Sequence, residues 1–412
     1  MRNEPHPSLG FLAAWAYAMV GWLIPPLVLL QLGFTTAGTL HSEISGYPLN
    51  LWWPWAILGA LIVLIAGFYG IRTSARMGTV LGVFEIAVFL VMGVLLVIHA
   101  GGHNTFSVFT TKYTPSGFHG LSGVVAGSVF SVLAFGGFEG AAPLAEEARN
   151  PGRTIQLAVL LATLLIGALY VFTTYAADVA FGPAGFASFT TGTGSASWVG
   201  LARSFYGLFW ILVFLAIVNS TLANSNAGVN VSSRTSFAMG RIKAFPPLLG
   251  LVSAKHKSPV NAIVLGTVIS LAAMLGLGLH YGPTDAFSMV GTALVILLVA
   301  IYIVMNAACI GFFARSSSHK LNVFSHVIIP VLGIAAFVPA WCAGAGVKIG
   351  ISWISPLPAP LSYMGPAVAA WMVIGLGYLI YLYVAHPQRV IDVGLVHLDG
   401  TGVEPAVAEP AS

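Results

Sequence analysis

Two carboxyl groups stand where a carboxyl is expensive. Glu85 is flanked by Val80 to Phe84 and by Ile86 to Leu90, apolar apart from Gly82. Glu139 lies in the run Phe135-Gly136-Gly137-Phe138-Glu139-Gly140-Ala141-Ala142-Pro143. An acid in such surroundings is either a proton carrier or cation ligand, or a structural group satisfied by a neighbouring helix. The glycines and Pro143 around Glu139 are poor helix formers. They read either as a break in a helix, with backbone groups freed to hold a ligand, or as a close-packing face with a kink. A third set of polar groups lies between 219 and 233. At 100° per residue, Asn219, Asn226, Asn230 and Ser233 fall within about 60° of one helical face. Such a stripe lines a cavity or hydrogen-bonds to a partner helix.

Other chemistry is scarce. Pro25-Pro26 predicts a kink, and Asp178 and Asp285 are expected to be solvated at helix ends. The eleven His residues show no metal-ligand spacing, and Cys309 and Cys342 sit in apolar stretches as core residues. Gly192-Thr193-Gly194 does not follow a strand and is no phosphate loop. No HExxH, CxxC or GxSxG occurs. The sequence therefore offers no catalytic set, metal site or cofactor site, and points away from an enzyme.

The elements that must position these groups follow from composition. Of 412 residues, 58% are hydrophobic and 7% charged, against roughly 25% charged in a soluble domain. That excludes a water-facing globule, and disorder as well. A helix needs about 20 apolar residues to cross the hydrocarbon core. About ten such stretches lie near 9–38, 51–71, 78–100, 121–145, 155–178, 204–236, 260–279, 285–313, 324–346 and 362–385. They are continuous runs, not the alternation of a β-barrel. With the N-terminus inside, only Lys112, Arg203 and Lys348 of the 16 Lys and Arg fall outside. That asymmetry puts both termini in the cytoplasm. The short separated pairs of basic residues do not form a nucleic-acid surface. Trp52, Trp53 and Trp55 mark one interface, and Tyr378, Tyr381 and Tyr383 the other.

The run Phe135 to Glu139, followed by Ala145-Glu146-Glu147-Ala148-Arg149-Asn150-Pro151-Gly152-Arg153, resembles the amino acid–polyamine–organocation permease family. The sixth helix of that family carries F-x-G-F/Y-E and leaves through A-E-E-x-x-N-P-x-R. Ser233 to Arg241, then Phe245-Pro246 and Ser258 to Ala262, resemble the end of its eighth helix and the basic loop beyond. Leu9 to Trp15 is similar to the start of its third helix. The resemblance implies an all-α polytopic membrane protein with an inverted-repeat transporter fold. About ten transmembrane helices, family helices three to twelve, are represented. Helices one and two, with the Gly-rich break of helix one, find no counterpart.

The implied organisation is one transmembrane domain over 1–385. It comprises a first repeat at 1–100, a second at 121–313 and two extra helices at 324–385, before a cytoplasmic tail at 386–412. The resemblance further implies that the carbonyls of Leu133 and Gly136 and the ring of Phe135 meet the substrate. Gly137 would permit unwinding, and Asn224, Gly228 and Pro25 would line the pocket. Glu139 falls at a gating or coupling position. Glu85 falls where some relatives have Lys in place of a sodium ion, and an acid departs from that pattern. The implied function is a secondary active transporter of amino acids or related amines in the plasma (inner) membrane. It would work by alternating access around a break at 133–140, coupled to protons or to a counter-substrate. The pocket residues, mostly Gly, Phe and Asn, point to neutral substrates. The rival reading is a truncated paralogue or fragment that does not transport and serves as a structural or sensor protein.

Overall fold

Lipid offers no partner to a backbone amide, so an apolar chain that spans it must satisfy its own hydrogen bonds. In the described residues of each of the ten apolar stretches the chain does so in helices. The structure, a computed structural model, describes residues 7–69, 74–115, 117–118, 120–138, 151–191, 197–241, 243–253, 258–315 and 321–389. Among them are eleven α-helices and no strand. These are α1 (Pro7–Glu43), α2 (Trp53–Tyr69), α3 (Ser74–Ala100), α4 (Leu121–Phe135), α5 (Pro151–Phe181) and α6 (Trp198–Tyr206). They continue with α7 (Phe209–Arg241), α8 (Val260–Tyr281), α9 (Pro283–Arg315), α10 (Ile329–Ala345) and α11 (Met364–Ala385). Eight of the described helices are long and apolar enough to cross a membrane, while α2 and α4 are shorter apolar helices. The protein is an all-α polytopic membrane protein.

Three boundaries differ from the sequence pattern. In the fourth stretch, expected to reach 145, α4 ends at Phe135, and 139–145 lie outside the described residues. The sixth, expected from 204, starts at Phe209 behind the separate nine-residue helix α6. The Ser197 hydroxyl caps α6 by accepting from the Gly200 N–H at 3.0 Å. α6 then ends at Gly207, whose φ of 52° closes the turn. The ninth stretch enters through a wide turn at Phe324–Ile328 before α10.

α1 is the hub. It runs through Pro25 and Pro26 without ending and packs along α7 and α9. Its crossing with α7 is built on small residues. A Cβ at Gly21 would lie 2.7 Å from the Ser232 backbone nitrogen, and one at Gly228 would lie 2.7 Å from Ile24 Cβ. Bare backbones can therefore touch, which is how helices associate where lipid is as apolar as leucine. On the α9 side, Leu29 and Leu30 meet Val290, Leu294 and Leu297 in one buried cluster. Trp15 and Trp371 clamp α11 onto α1. Their rings stack at 4.5 Å, and each indole N–H donates to the other's backbone carbonyl, at 3.0 and 3.3 Å.

The two ends of the bundle are distinct. Phe11, Phe245, Ala262 and Leu382 are buried together at one end, and there the Arg389 guanidinium donates to the Lys243 carbonyl at 3.3 Å. At the opposite end Arg203 pairs with Glu43 at 2.7 Å, joining α6 to the end of α1. Leu160, Leu161, Leu164 and Leu165 of α5 are all exposed, as a lipid-facing stripe must be.

Candidate binding cavity

α4 stops where its sequence stops favouring a helix. The Gly136 N–H donates to the Leu133 carbonyl at 3.0 Å, closing a last tight turn. Gly136 then turns extended, with ψ of 138°, and Gly137 takes φ of 112°, a value L side chains rarely adopt. Phe135, the last helical residue, puts its ring edge-on to Tyr170 at 5.7 Å. The ring also covers Gly167, where a Cβ would sit 3.1 Å from Phe135 Cζ.

Beside this break lies a cavity of about 800 Å³, walled by α1, α3, α4, α5, α6 and α7. Glu85, Ser131, Phe135, Ser220, Thr221 and Asn224 are among the residues that line it. Phe89, Phe109, Tyr175, Asp178 and Trp198 line it as well. The volume and the mix of apolar walls with a few polar groups suit a small organic ligand.

Of the sequence-expected site residues, Glu85, Phe135 and Asn224 come together on this cavity. Glu85 accepts a hydrogen bond from the Asn219 amide, so α3 and α7 are joined at the carboxyl. Asn224 turns back on its own helix, its amide donating to the Ser220 carbonyl at 3.0 Å. The polar stripe of α7 thus divides. Asn219 makes an interhelical bond, and the cavity wall is the adjoining face of Ser220, Thr221 and Asn224.

The remaining expected residues lie around the cavity rather than on its described wall. Pro25 and Gly228 meet at the α1–α7 crossing, with Pro25 Cδ 2.8 Å from the Cβ position of Gly228. The Leu133 side chain covers Gly291 of α9, and Leu298 covers Gly136. Gly137 forms the turn itself. Glu139 lies outside the described residues.

Asp178 was expected to be solvated. Instead it lines the cavity, and its Oδ1 is buried with no hydrogen-bond partner among the described residues. The local sequence holds one hint: Tyr175 and Asp178 are three apart in α5 and so share a face. Trp198 was also missed, because a nine-residue helix carries too short a pattern to be read. Among the described residues, no group of three or more His, Cys, Asp or Glu could hold a metal ion.

A family model described as amino acid permease matches residues 3–385. The chain belongs to the amino acid permease family. Among its relatives, the low-affinity putrescine importer PlaP of Escherichia coli is 25% identical over 304 residues, covering 70% of this permease and 64% of the importer. The branched-chain amino acid permease BcaP of Lactococcus lactis is 25% identical over 295 residues, covering 67% and 58% of the two chains. The uncharacterized amino acid permease YecA of Bacillus subtilis is 25% identical over 377 residues, covering 82% and 80%. The permease thus spans less than two thirds of the importer and of the branched-chain permease. Family and relatives alike are permeases, not enzymes.

Proposed function

We propose that this permease is a secondary transporter that moves amino acids or related amines across the plasma membrane by alternating access around the break at 133–140. The observation that carries the reading is the end of α4 at Phe135, with Gly136 and Gly137 opening beside a cavity of about 800 Å³. A helix interrupted at membrane depth leaves backbone groups for a solute, and the walls around it can rock. The names of the relatives support amino acids and amines as the solutes. Glu85 is our candidate for proton coupling, because it is an acid on the cavity wall bridging α3 to α7. Exchange against a counter-substrate is the other coupling that fits. In this reading Leu133, Gly136 and Phe135 present the break to the solute, Asn224 faces it, and Gly228 and Pro25 set the crossing behind it. Glu139, by its place in the sequence motif, would gate or couple. The domain comprises 1–385, its repeats 1–100 and 121–313, with both termini cytoplasmic.

The test is uptake by the purified chain in proteoliposomes, with labelled amino acids and amines and with imposed proton or counter-solute gradients. We expect accumulation of at least one solute. Gly137→Ala should cut the initial rate at least tenfold while the protein stays folded in detergent, since φ of 112° strains any L residue by about 1–3 kcal/mol. A folded protein that neither accumulates nor exchanges any of these solutes would overturn the transport reading.

A further inference from the structure

The cavity wall also carries rings and a second carboxyl: Phe109, which stacks on Tyr175, then Asp178 three residues after Tyr175, and Phe89 with Trp198. The rings are braced. Tyr175 stacks on Phe109 at 5.6 Å with 3° between the planes, and its hydroxyl donates to Asn104 at 3.3 Å. Trp198 stands edge-on to Phe89 at 5.5 Å and to Phe189 at 5.4 Å. Asp178 Oδ1 is buried without a hydrogen bond from any described residue. A carboxyl oxygen shut away from water and left without a donor is costly, and a cation arriving in the cavity would remove that cost.

No described Lys, Arg or His lines the cavity to neutralise Asp178. Lys112, in the neighbouring loop, instead sits over the Tyr113 ring at 5.2 Å. Glu85 does not share the subsite. Gly93 of α3 abuts Phe172 of α5, and α3 and α5 run side by side in the same direction, with Tyr175 reaching Asn104 just past the end of α3. Glu85 precedes Gly93 by eight residues and Asp178 follows Phe172 by six. At the helical rise the two acids are about 20 Å apart in depth.

We propose that Asp178, with the rings of Phe109 and Tyr175 on the same side of the cavity, forms a subsite for the ammonium group of an organic cation, an amine whose positive charge has no carboxylate beside it. A carboxylate supplies the counter-charge and aromatic faces supply cation–π attraction, worth about 0.5–2 kcal/mol per ring. A neutral amino acid would gain less, because its own carboxylate travels with its ammonium and is repelled by Asp178. The inference makes the substrate class of the proposed transporter cationic, against the neutral class that the residues of the break alone suggest. It rests on the transport reading for its purpose, while its test is a binding measurement.

The experiment is equilibrium binding of labelled cadaverine to the purified full chain in detergent, with tetramethylammonium and leucine as competitors. Thermal unfolding of every variant is followed in parallel. We expect cadaverine to bind, tetramethylammonium to compete and leucine to compete at least tenfold more weakly. Asp178→Asn should weaken cadaverine at least tenfold. Phe109→Leu, at a ring 60% exposed and so of little consequence for folding, should weaken it about two- to thirtyfold. Should Asp178→Asn fail to fold, Phe109→Leu and the competition series decide. Cadaverine binding unchanged in the folded variants, leucine binding as well as cadaverine, or no binding by the folded protein would each overturn the subsite. Binding that behaves as expected without accumulation in proteoliposomes would overturn the transport reading and leave the subsite standing.

Discussion

Glu85 and Asp178 show how one residue type takes different roles from its neighbours. Glu85 has a donor in Asn219 on the facing helix, so its charge or proton is tied to the distance between α3 and α7. Asp178 has no described donor to its buried oxygen. Removing the titratable group while keeping the hydrogen bond isolates the first role. Glu85→Gln retains a carbonyl oxygen for the Asn219 amide but cannot release a proton. If Glu85 couples protons, its uptake should lose the response to an imposed pH gradient, while solute exchange keeps at least a third of its rate. Initial rates in proteoliposomes at several external pH values decide this, and a wild-type pH profile in Glu85→Gln would reject the coupling role. The two acids also mark where sequence reading succeeds and where it stops. Glu85 was legible because five apolar residues on one side and four of five on the other leave an acid no ordinary explanation. Asp178 lies three residues before the end of its helix. There, whether water or an aromatic wall surrounds a carboxyl depends on α6 and on the loop that carries Phe109, and local sequence holds neither.

At the scale of elements, the long helices were legible because lipid imposes one length and one polarity on any span. Their breaks were legible only in part. The Gly-Gly step after Phe135 announces that α4 weakens, and the helix ends there. α6 escaped because nine residues, capped by Ser197 and stopped by Gly207, make no membrane-length pattern. What decides packing between elements is the glycine whose missing Cβ a neighbour occupies, and this too needs the partner helix. Gly228 and Gly82 make the contrast. Both are mid-helix glycines, but Gly228 is filled by Ile24 and Pro25, whereas nothing lies within 4 Å of the Cβ position at Gly82. Gly228→Ala should therefore push α1 from α7 and lower unfolding stability by about 1–3 kcal/mol. Gly82→Ala should be neutral or stabilise by up to about 1 kcal/mol, since Ala loses less backbone freedom. Thermal unfolding in one detergent compares them. Equal effects would mean that the α1–α7 crossing does not depend on the bare backbone.

The whole molecule adds orientation. The basic residues divide unequally between the two sets of loops, and the packing groups the same ends that the charge count groups. The starts of α1 and α8 and the end of α11 share one buried cluster with Phe245, and Arg389 reaches the Lys243 carbonyl there. Arg203, of the minority set, joins Glu43 at the opposite end. Charge asymmetry of this kind is fixed at insertion, with Lys and Arg retained on the cytoplasmic side. The Lys112 end should therefore face outward and the Arg389 end inward. The check begins by replacing the two native cysteines, Cys309 and Cys342, and then introduces one cysteine at a time. In intact cells a membrane-impermeant maleimide should label Lys112→Cys but not Arg389→Cys, and permeabilised cells should show both. The reverse pattern would invert the orientation. It would also place Asp178 and its aromatic wall toward the cytoplasm, because Tyr175 is tied to Asn104 on the Lys112 side, and a cationic solute would then meet that subsite on leaving the membrane instead of on entering it.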